Sequence, residues 1–493
     1  MMNSPNILNL HRERALQALG EEPLDVLVVG GGIVGAGVLY AAVRAGLRAG
    51  LVEQYDFAFG TSSRSSRLLH GGLRYLAQGR VGLVFEASQE KLRLAKVAPH
   101  LVEPMPFIFP SYRGSHWPLW QLWIGVKVYD ALCLGKNFGA SRRVNLRELA
   151  ELAPGLREDG CRGAVRYFDA LTNDSRLVLD TLRAAVARGG FAYNYVGLKQ
   201  AEWRGKAWVC HLVDTLSDRH FACESRWIVN ACGPWASLFP QSKVQLRLTK
   251  GIHLVIPRER LPIREAVVMS EGKRILFAIP WGERVILGTT DTDYAGSLED
   301  IPIDEADIEY VLGVTNWFFP KAGISRADIR AGWAGLRPLV AKGRGGPSDI
   351  SRAHVIRVVG PGWVDVAGGK LTTYLLMGEQ VVRKILRRMD RREHRPNPCE
   401  PFLAEGESVP RLGVLPPEPT PELVKYFCER EWACRLEDVM IRRTSWHYYR
   451  DDLAQLSQEV AQWMAELLGW DEAKKKEEIA RYQTVCNKTC VRL

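Results

Sequence analysis

The chain has 493 residues, enough for roughly three domains at about 150 residues each. Hydrophobic residues make up 46% of the chain and charged residues 25%, a balance that excludes wholesale disorder. The net charge of +10 favours an anionic binding partner: a phosphorylated substrate, an anionic lipid surface or nucleic acid.

The first strong signal is a short apolar run, Asp25–Val29, that ends at a glycine cluster. Such a run predicts a buried parallel strand. The cluster holds Gly30, Gly32 and Gly35 at the GxGxxG spacing of a dinucleotide fingerprint. Gly30 permits the tight turn, Gly32 lets the backbone approach a pyrophosphate, and Gly35 lets the next helix pack closely on the strand. The first N–H groups of that helix would point at the phosphates.

A second predicted strand ends at Glu53. An acidic side chain at this position accepts hydrogen bonds from the adenosine ribose hydroxyls and disfavours a 2′-phosphate, so NADP is a poor candidate. The fingerprint alone does not separate NAD from FAD.

The polar loop after Glu53 favours FAD. Thr61, Ser62 and Ser65 supply hydroxyls suited to a pyrophosphate or a flavin edge. The segment His70–Tyr75 then adds a second glycine-permissive backbone with titratable or cationic side chains. An NAD domain would ordinarily continue into its next strand and helix without this insert.

In these segments the chain resembles the FAD-dependent glycerol-3-phosphate dehydrogenases, which belong to the superfamily of D-amino-acid-oxidase-like flavoenzymes. The resembling segments occur in the family's order between Asp25 and Met389, and they read GGGIVGAG, TSSRSSRLLHGGLRYL, VNACGPWA, TKGIHLVIP, IPW, ILGTTDTDY, AGLRPL and GGKLTTY. The first and third are shared across the superfamily. HGGLRYL, the block from TKGIHLVIP to GTTDTDY, and GGKLTTY are more specific.

The resemblance implies an α/β fold: a Rossmann-like FAD-binding domain, an antiparallel-sheet substrate domain and a C-terminal helical domain. The predicted FAD-binding domain is discontinuous, and the predicted bounds are 24–75, 165–240 and 350–392 for it, 76–164 and 241–349 for the substrate domain, 396–420 for a linker, and 421–493 for the helical domain. The helical domain looks shortened relative to the family.

The resemblance also implies non-covalent FAD. The predicted cofactor-binding residues are Gly30, Gly32, Gly35, Glu53, Thr61, Ser62, Ser65, Gly72, Leu73, Gly233, Trp235, Gly369, Lys370, Leu371 and Thr372. The GGKLTTY turn would open the last helix of the FAD domain, and its positive dipole end would stabilise the anionic reduced flavin.

The family oxidises sn-glycerol 3-phosphate to glycerone phosphate by hydride transfer to flavin N5. Arg337 resembles the family's anion-binding arginine, and Arg74 and Lys370 complete the predicted cationic group around the substrate. Candidate proton acceptors are His253 and His70, since histidine titrates near neutral pH. Two alternatives stay open: oxidation of another 2-hydroxy acid or amino acid, and a flavin-binding protein without this activity.

Electrons leave the flavin for a quinone in most of the family and for oxygen in a minority. Trp117, Trp120 and Trp123, with basic residues nearby, fit an interfacial helix on an anionic membrane as well as they fit a buried aromatic helix. Neither a signal peptide nor a spanning segment stands out, which predicts a cytoplasmic protein, alone or at the inner face of the membrane. We expect no metal site and no nucleic-acid partner, and a homo-oligomer stays open.

Overall fold

The structure is a computed structural model that describes residues 7–272, 274–340, 354–391, 397–403 and 412–489, apart from the side chains of residues 7–11, 74 and 77. Its strands are β1 Leu24–Val29, β2 Ala49–Val52, β3 Leu68–Leu69, β4 Glu103–Tyr112, β5 Arg142–Val144, β6 Cys161–Leu171, β7 Phe191–Tyr193, β8 Val196–Trp203, β9 Trp208–Asp214, β10 Arg219–Asn230, β11 Leu246–Pro257, β12 Ala266–Glu271, β13 Arg274–Trp281, β14 Arg284–Gly288, β15 Thr292–Asp293, β16 Ala331–Val340, β17 Val355–Gly360 and β18 Trp363–Ala367.

Helices flank these strands and form the C-terminal part of the chain. They are α1 Ile7–Glu21, α2 Ile33–Arg44, α3 Val81–Val97, α4 Leu119–Leu132, α5 Leu146–Leu152, α6 Asp174–Val186, α7 Glu305–Phe318, α8 Tyr374–Arg388, α9 Pro421–Arg430, α10 Trp446–Tyr449, α11 Leu453–Leu468 and α12 Glu472–Lys488. A π-helical turn, Asp438–Arg443, precedes α10.

The first sheet runs in the order β17-β18-β10-β1-β2-β7, with the β8–β9 hairpin joined to β10. The central strand β1 pairs in parallel with β2 and β10, so Val28 lies beside both Leu51 and Val229. Because β1 is apolar on both faces, both sides of the sheet must be covered. Residues of α2, α6 and α8 pack on one face, and α1 with the β8–β9 hairpin packs on the other. The strands β2 and β10 lie on opposite sides of β1, so the strand order changes direction at β1. In sheets of this kind, ligands bind at the carboxyl ends of the strands at such a switch point.

The second sheet runs in the order β15-β11-β14-β13-β12-β4-β6-β3, with β16 paired to β11 and β5 to β6. Its pairs are antiparallel except β12 with β4. The strands β11, β14 and β13 are antiparallel neighbours within the range 241–349 that was predicted for the substrate domain. The predicted domain boundary at residue 165 falls inside β6, which pairs with β4 over most of its length, and the domain division stays a prediction.

The C-terminal helices are not a separate appendage, because they share one apolar core with the second sheet. Trp281 and Trp333 from the sheet lie in the same buried cluster as Trp446 and Val460 from the helices. In the range predicted to be a linker, Phe402 is buried and its ring lies 5.1 Å from that of Tyr40 on α2. The predicted fold class, α/β with a helical C-terminal part, is confirmed.

Across the ranges that the structure describes, no helix combines the length and the apolar character needed to cross a lipid bilayer.

Candidate active site

The glycine turn between β1 and α2 has the geometry that its spacing predicts. Gly30 adopts φ +110°, a backbone conformation that strains any residue with a Cβ. A Cβ added at Gly35 would lie 1.9 Å from the Gly30 carbonyl oxygen, so only glycine lets the helix pack on the turn. The Ile33 N–H, at the start of α2, donates to the Ser62 hydroxyl at 2.9 Å. The polar loop and the helix start therefore meet at one place.

Glu53 lies half-buried directly after β2, beside the same turn. Its carboxylate accepts hydrogen bonds from the N–H groups of Gly31 at 2.7 Å and Tyr55 at 2.9 Å. Burial raises the pKa of Glu53, and these two N–H groups oppose the rise. The carboxylate is therefore held in one orientation at the carboxyl edge of the sheet.

A cavity of about 360 Å³, here named the glycine-turn cavity, opens along this edge. Among the predicted cofactor-binding residues, it is lined by Gly30, Gly32, Glu53, Thr61, Ser62, Ser65, Gly233, Trp235, Gly369, Lys370 and Leu371. The other four take different places: Gly35 lies beneath the turn, Gly72 and Leu73 line a second cavity, and Thr372 accepts a hydrogen bond from the His70 N–H at 3.1 Å.

The GGK turn reaches this cavity because α2 and α8 cross very closely. A Cβ added at Gly378 would lie 2.2 Å from the carbonyl oxygen of Gly37. This glycine contact brings the turn before α8 next to the start of α2, and both line the cavity. The positive ends of two helical segments therefore face one space, which suits an anionic ligand.

Sequence reasoning missed the apolar walls of the glycine-turn cavity. Tyr55 and Phe59 come from the loop after β2, Leu198 from β8, and Leu238 and Phe239 from the segment after β10. None of these residues lies in a motif that carries a local signal, so only the fold could bring them together.

The second cavity, of about 130 Å³, is here named the Arg337 cavity. It is lined by Ser66, His70, Gly72, Leu73, Thr289 and Arg337, and by aromatic side chains that include Phe107, Phe109, Tyr167 and Phe277. The Arg337 guanidinium donates to the Thr289 hydroxyl at 2.9 Å and to the Asp291 carboxylate at 3.1 Å. These contacts fix a planar cation in the wall of the cavity, which also carries the charged side chains of Asp169, Arg274 and Asp291.

Lys370 lies where the two cavities meet. It lines the glycine-turn cavity, and its Nζ is 4.1 Å from the centroid of the Tyr75 ring. A Cβ added at Gly72, which lines the Arg337 cavity, would be 3.3 Å from the same Nζ. Arg74 lies in the short helical segment Leu73–Gln78, but its side chain is outside the described part, so its role stays a prediction.

The two candidate histidines occupy different positions. His70 lines the Arg337 cavity, whereas His253 is buried behind Ser66, with its Nε2 2.8 Å from the serine Oγ. The His253 ring stacks on Trp333 at 5.1 Å. Burial, together with the positive charges of Arg337 and Arg67, lowers the pKa of His253 to about 3. The imidazole is therefore neutral at neutral pH.

A buried polar network beneath the HGGLRYL loop was not predicted. The Gly71 N–H donates to the Tyr129 hydroxyl at 2.8 Å, and this hydroxyl in turn donates to Asp169. The Lys91 ammonium lies 2.9 Å from the same carboxylate. The three side chains come from α3, α4 and β6, and no sequence spacing connects them. The network holds the loop that carries His70.

Comparison with protein-family models identifies the family of this chain. A family model described as "FAD dependent oxidoreductase" matches residues 25–380. This chain belongs to the FAD-dependent oxidoreductase family. A second model, "C-terminal domain of alpha-glycerophosphate oxidase", matches residues 415–475 of this flavoenzyme.

Individual relatives agree with the family model. The aerobic glycerol-3-phosphate dehydrogenase of Bacillus subtilis is 36% identical over 389 residues, covering 78% of this flavoenzyme and 70% of that protein. An alpha-glycerophosphate oxidase of Streptococcus pyogenes is 38% identical over 344 residues, which are 67% of this chain but only 56% of that protein. The chain therefore spans little more than half the length of the streptococcal relative. The resemblance to the glycerol-3-phosphate dehydrogenases is confirmed.

Solved structures support the fold and the cofactor. The glycerol-3-phosphate dehydrogenase of Bacillus halodurans, complexed with FAD, has a TM-score of 0.78 at 26% identity and covers 97% of both chains. The L-alpha-glycerophosphate oxidase of Mycoplasma pneumoniae, with FAD bound, has a TM-score of 0.59 at 16% identity, a likeness of fold. FAD is the cofactor of this flavoenzyme.

Proposed function

We propose that this protein oxidises sn-glycerol 3-phosphate to glycerone phosphate and passes the electrons to a quinone. The observation that carries the proposal is the junction of the two cavities. A dinucleotide-type cavity meets a small aromatic cavity that contains Arg337, and Lys370 lies between them. A small substrate with one anionic end matches this arrangement better than an amino acid, which would need a paired carboxylate and amine site.

The residues of the glycine-turn cavity fit FAD. Gly32 and Ser62, at the start of α2, would hold the pyrophosphate, and Glu53 would bind the ribose hydroxyls. The turn before α8 would approach the flavin ring. Bound FAD supplies a two-electron acceptor that takes a hydride from the substrate carbon and later releases the electrons one or two at a time.

Arg337 is the proposed phosphate-binding residue. A guanidinium presents paired donors that match phosphate oxygens, and Thr289 and Asp291 keep its plane in place. The aromatic walls formed by residues such as Phe107 and Phe277 limit access of water, which strengthens the charge interaction. Lys370 would add positive charge at the end of the cavity that faces the cofactor.

The substrate hydroxyl must lose a proton as the hydride leaves. Ser66 lines the cavity and is hydrogen-bonded to the neutral His253, so the serine hydroxyl can relay this proton to Nε2. His70 reaches the cavity directly and is the alternative acceptor. We place His253 first because its ring already has a hydrogen-bonded route to the cavity.

Anaerobic mixing of the yellow holoenzyme with glycerol 3-phosphate tests the reaction. Rapid bleaching of the flavin absorbance is expected, followed by faster recovery of colour with a quinone analogue than with oxygen. Bleaching by 2-hydroxy acids or amino acids alone would assign the second activity. No bleaching by any of these compounds would indicate a flavin-binding protein without this activity.

We also propose that α4 binds the anionic inner surface of the cytoplasmic membrane. Trp120, Ile124 and Val128 follow each other at helical spacing and are 59%, 53% and 39% exposed. Trp117 and Trp123 pack against the core instead. Of the three tryptophans, only Trp120 is therefore available to a membrane, and the other two belong to the aromatic packing inside the protein. Such a stripe suits the membrane interface.

Co-sedimentation with phosphatidylglycerol vesicles tests this contact. The variant Trp120→Ala/Ile124→Ala should bind vesicles at least several-fold more weakly than the parent protein. Trp317→Ala is the matched control, since Trp317 is an exposed tryptophan on α7. Equal binding by all three proteins would contradict the assignment of α4.

A further inference from the structure

A third cavity, of about 940 Å³, separates the loop after β2 from the C-terminal helices and is here named the interdomain cleft. It shares Gln54, Tyr55 and Phe59 with the glycine-turn cavity, so the two spaces lie on opposite sides of one loop. The residues of the cleft that matter below are Phe59, Arg64, Tyr195, Arg435, Arg442 and Tyr448. The catalytic scheme above uses none of them.

Each acidic side chain of the cleft already has a partner. Glu299 accepts a hydrogen bond from the Tyr55 hydroxyl, and Asp300 lies 3.0 Å from the Lys488 ammonium. The other pairs are Glu437 with Arg442 at 3.3 Å and Glu477 with Lys474 at 3.1 Å. Three of these four carboxylates are therefore paired with a cation of the protein, and the fourth, Glu299, is hydrogen-bonded to a neutral hydroxyl.

Part of its positive charge is not neutralised. Within the described ranges, Arg64, Arg435 and Lys199 line the cleft and form no ion pair with a carboxylate. The Nε of Arg435 is buried without a hydrogen-bond partner. Arg64 and Arg435 are half-buried, so a bound anion would offset part of the cost of keeping their charges away from water.

The guanidinium groups are also arranged around shared aromatic rings. Arg64 and Arg442 both lie over the Phe59 ring, 5.2 and 5.8 Å from its centroid, and Arg435 lies 5.0 Å from the centroid of Tyr195. Burial lowers the pKa of Arg64, as does the neighbouring charge of Arg442. Arg64 and Arg442 therefore share one ring while Arg435 lies over another, and stacking keeps each guanidinium plane in place.

We propose that the interdomain cleft is a second anion-binding site, distinct from the Arg337 cavity, that takes a small phosphorylated metabolite. Arg64 and Arg435 would hold its phosphate, since guanidinium forks match phosphate oxygens in geometry and charge. The partly buried rings of Tyr55 and Phe59 offer apolar surface for its carbon skeleton. The bound molecule would connect the loop beside FAD to the C-terminal helices and stabilise their contact by mass action.

Calorimetric titration of the FAD-loaded, full-length protein with inorganic pyrophosphate tests the site. Two binding events are expected in the parent protein, of which Arg337→Ala removes one. Arg64→Gln and Arg435→Gln should each weaken the other event about tenfold or more. The matched control is Arg481→Gln, because Arg481 lines the same cleft but is paired with Glu477 at 3.5 Å, and it should leave both events unchanged.

A single binding event that disappears in Arg337→Ala would overturn the proposal while leaving the catalytic one intact. Chemical labelling provides a readout without substitutions. Saturating pyrophosphate should protect Arg64 and Arg435 of the parent holoenzyme from phenylglyoxal, measured by mass spectrometry of their peptides, with Arg481 as the internal reference. Equal labelling of Arg64 with and without pyrophosphate would count against the site.

Discussion

Ser66 and His253 are joined by a 2.8 Å hydrogen bond between the serine Oγ and the imidazole Nε2, and of the two only Ser66 lines the Arg337 cavity. The histidine therefore reaches the substrate space through a hydroxyl. His253, which lies in the TKGIHLVIP segment, can therefore accept a substrate proton only through Ser66, a residue from a different part of the chain.

The first prediction concerns this pair. Ser66→Ala and His253→Gln should each lower kcat by about 10²-fold or more, the usual size of a general-base contribution. The double variant should lose little beyond the larger single loss, because both changes interrupt one route. Steady-state kinetics with glycerol 3-phosphate at equal FAD content measures this. Ser111→Ala, a buried serine on β4, is the control, and additive losses would disprove a shared route.

Arg337→Ala should raise the KM for glycerol 3-phosphate by about 10- to 100-fold, the equivalent of one or two hydrogen bonds to a charged group. The FAD content should stay the same because Arg337 lines the other cavity. Arg247→Ala, on the adjacent strand β11 and paired with Asp293, provides the control. Loss of FAD with an unchanged KM would mean that Arg337 has been assigned wrongly.

Gly35→Ala should abolish FAD binding, since the added Cβ would lie 1.9 Å from the Gly30 carbonyl oxygen and must displace the turn. Gly82→Ala on α3 meets nothing within 4 Å and should keep its flavin. The ratio of flavin to protein absorbance measures both. A yellow Gly35→Ala protein would show that the close packing of α2 is dispensable.

Asp56→Asn should destabilise the protein by about 3–5 kcal/mol, because it leaves two buried arginines short of a counter-charge. Asp56 lies 2.6 Å from both Arg442 and Arg443 of the π-helical turn, so it ties the C-terminal region to the first sheet. Burial opposes its ionisation, yet these arginines lower its pKa to about 2.

Urea unfolding followed by circular dichroism gives the free energy of unfolding. The control is Asp293→Asn, because Asp293 is 54% exposed and pairs with the partly exposed Arg247, a type of pair worth about 1 kcal/mol or less. Similar losses of unfolding free energy in the two variants would contradict the claim that burial makes the Asp56 ion pairs strongly stabilising.

Stability should also fall as the pH drops below about 6.5. Burial, with nearby positive charge, lowers the pKa of His253 and of His447 from 6.5 to about 3. Between these values the unfolded chain binds protons that the folded chain does not, so the free energy of unfolding rises with pH there and declines toward acid. The slope is on the order of 1 kcal/mol per pH unit for each histidine.

Unfolding curves between pH 5 and 8 measure this slope. His447→Gln should flatten it, whereas substitution of the exposed His220 by Gln should leave it unchanged. A free energy of unfolding that does not vary with pH in this range would mean that neither buried histidine stays neutral.

Features that depend on neighbouring residues were predictable. The strand, glycine turn and helix around Gly30–Gly35, the acid at Glu53 and the GGK turn lie along one cavity, while their roles in cofactor binding stay predictions. Their chemistry follows from short spacings, because a tight turn, a helix start and a strand end are each decided within a few residues. The family resemblance then added the fold class.

Contacts between distant segments were decided by the tertiary structure alone. The sequence contains Ser66, His253, Tyr129 and Asp169, but only the packing of the second sheet against α3 and α4 sets their distances. The same holds for Arg64, which lines the interdomain cleft while its neighbours Ser62 and Ser65 line the glycine-turn cavity. A side chain's residue type is local information, whereas its burial and partners depend on every element folded around it.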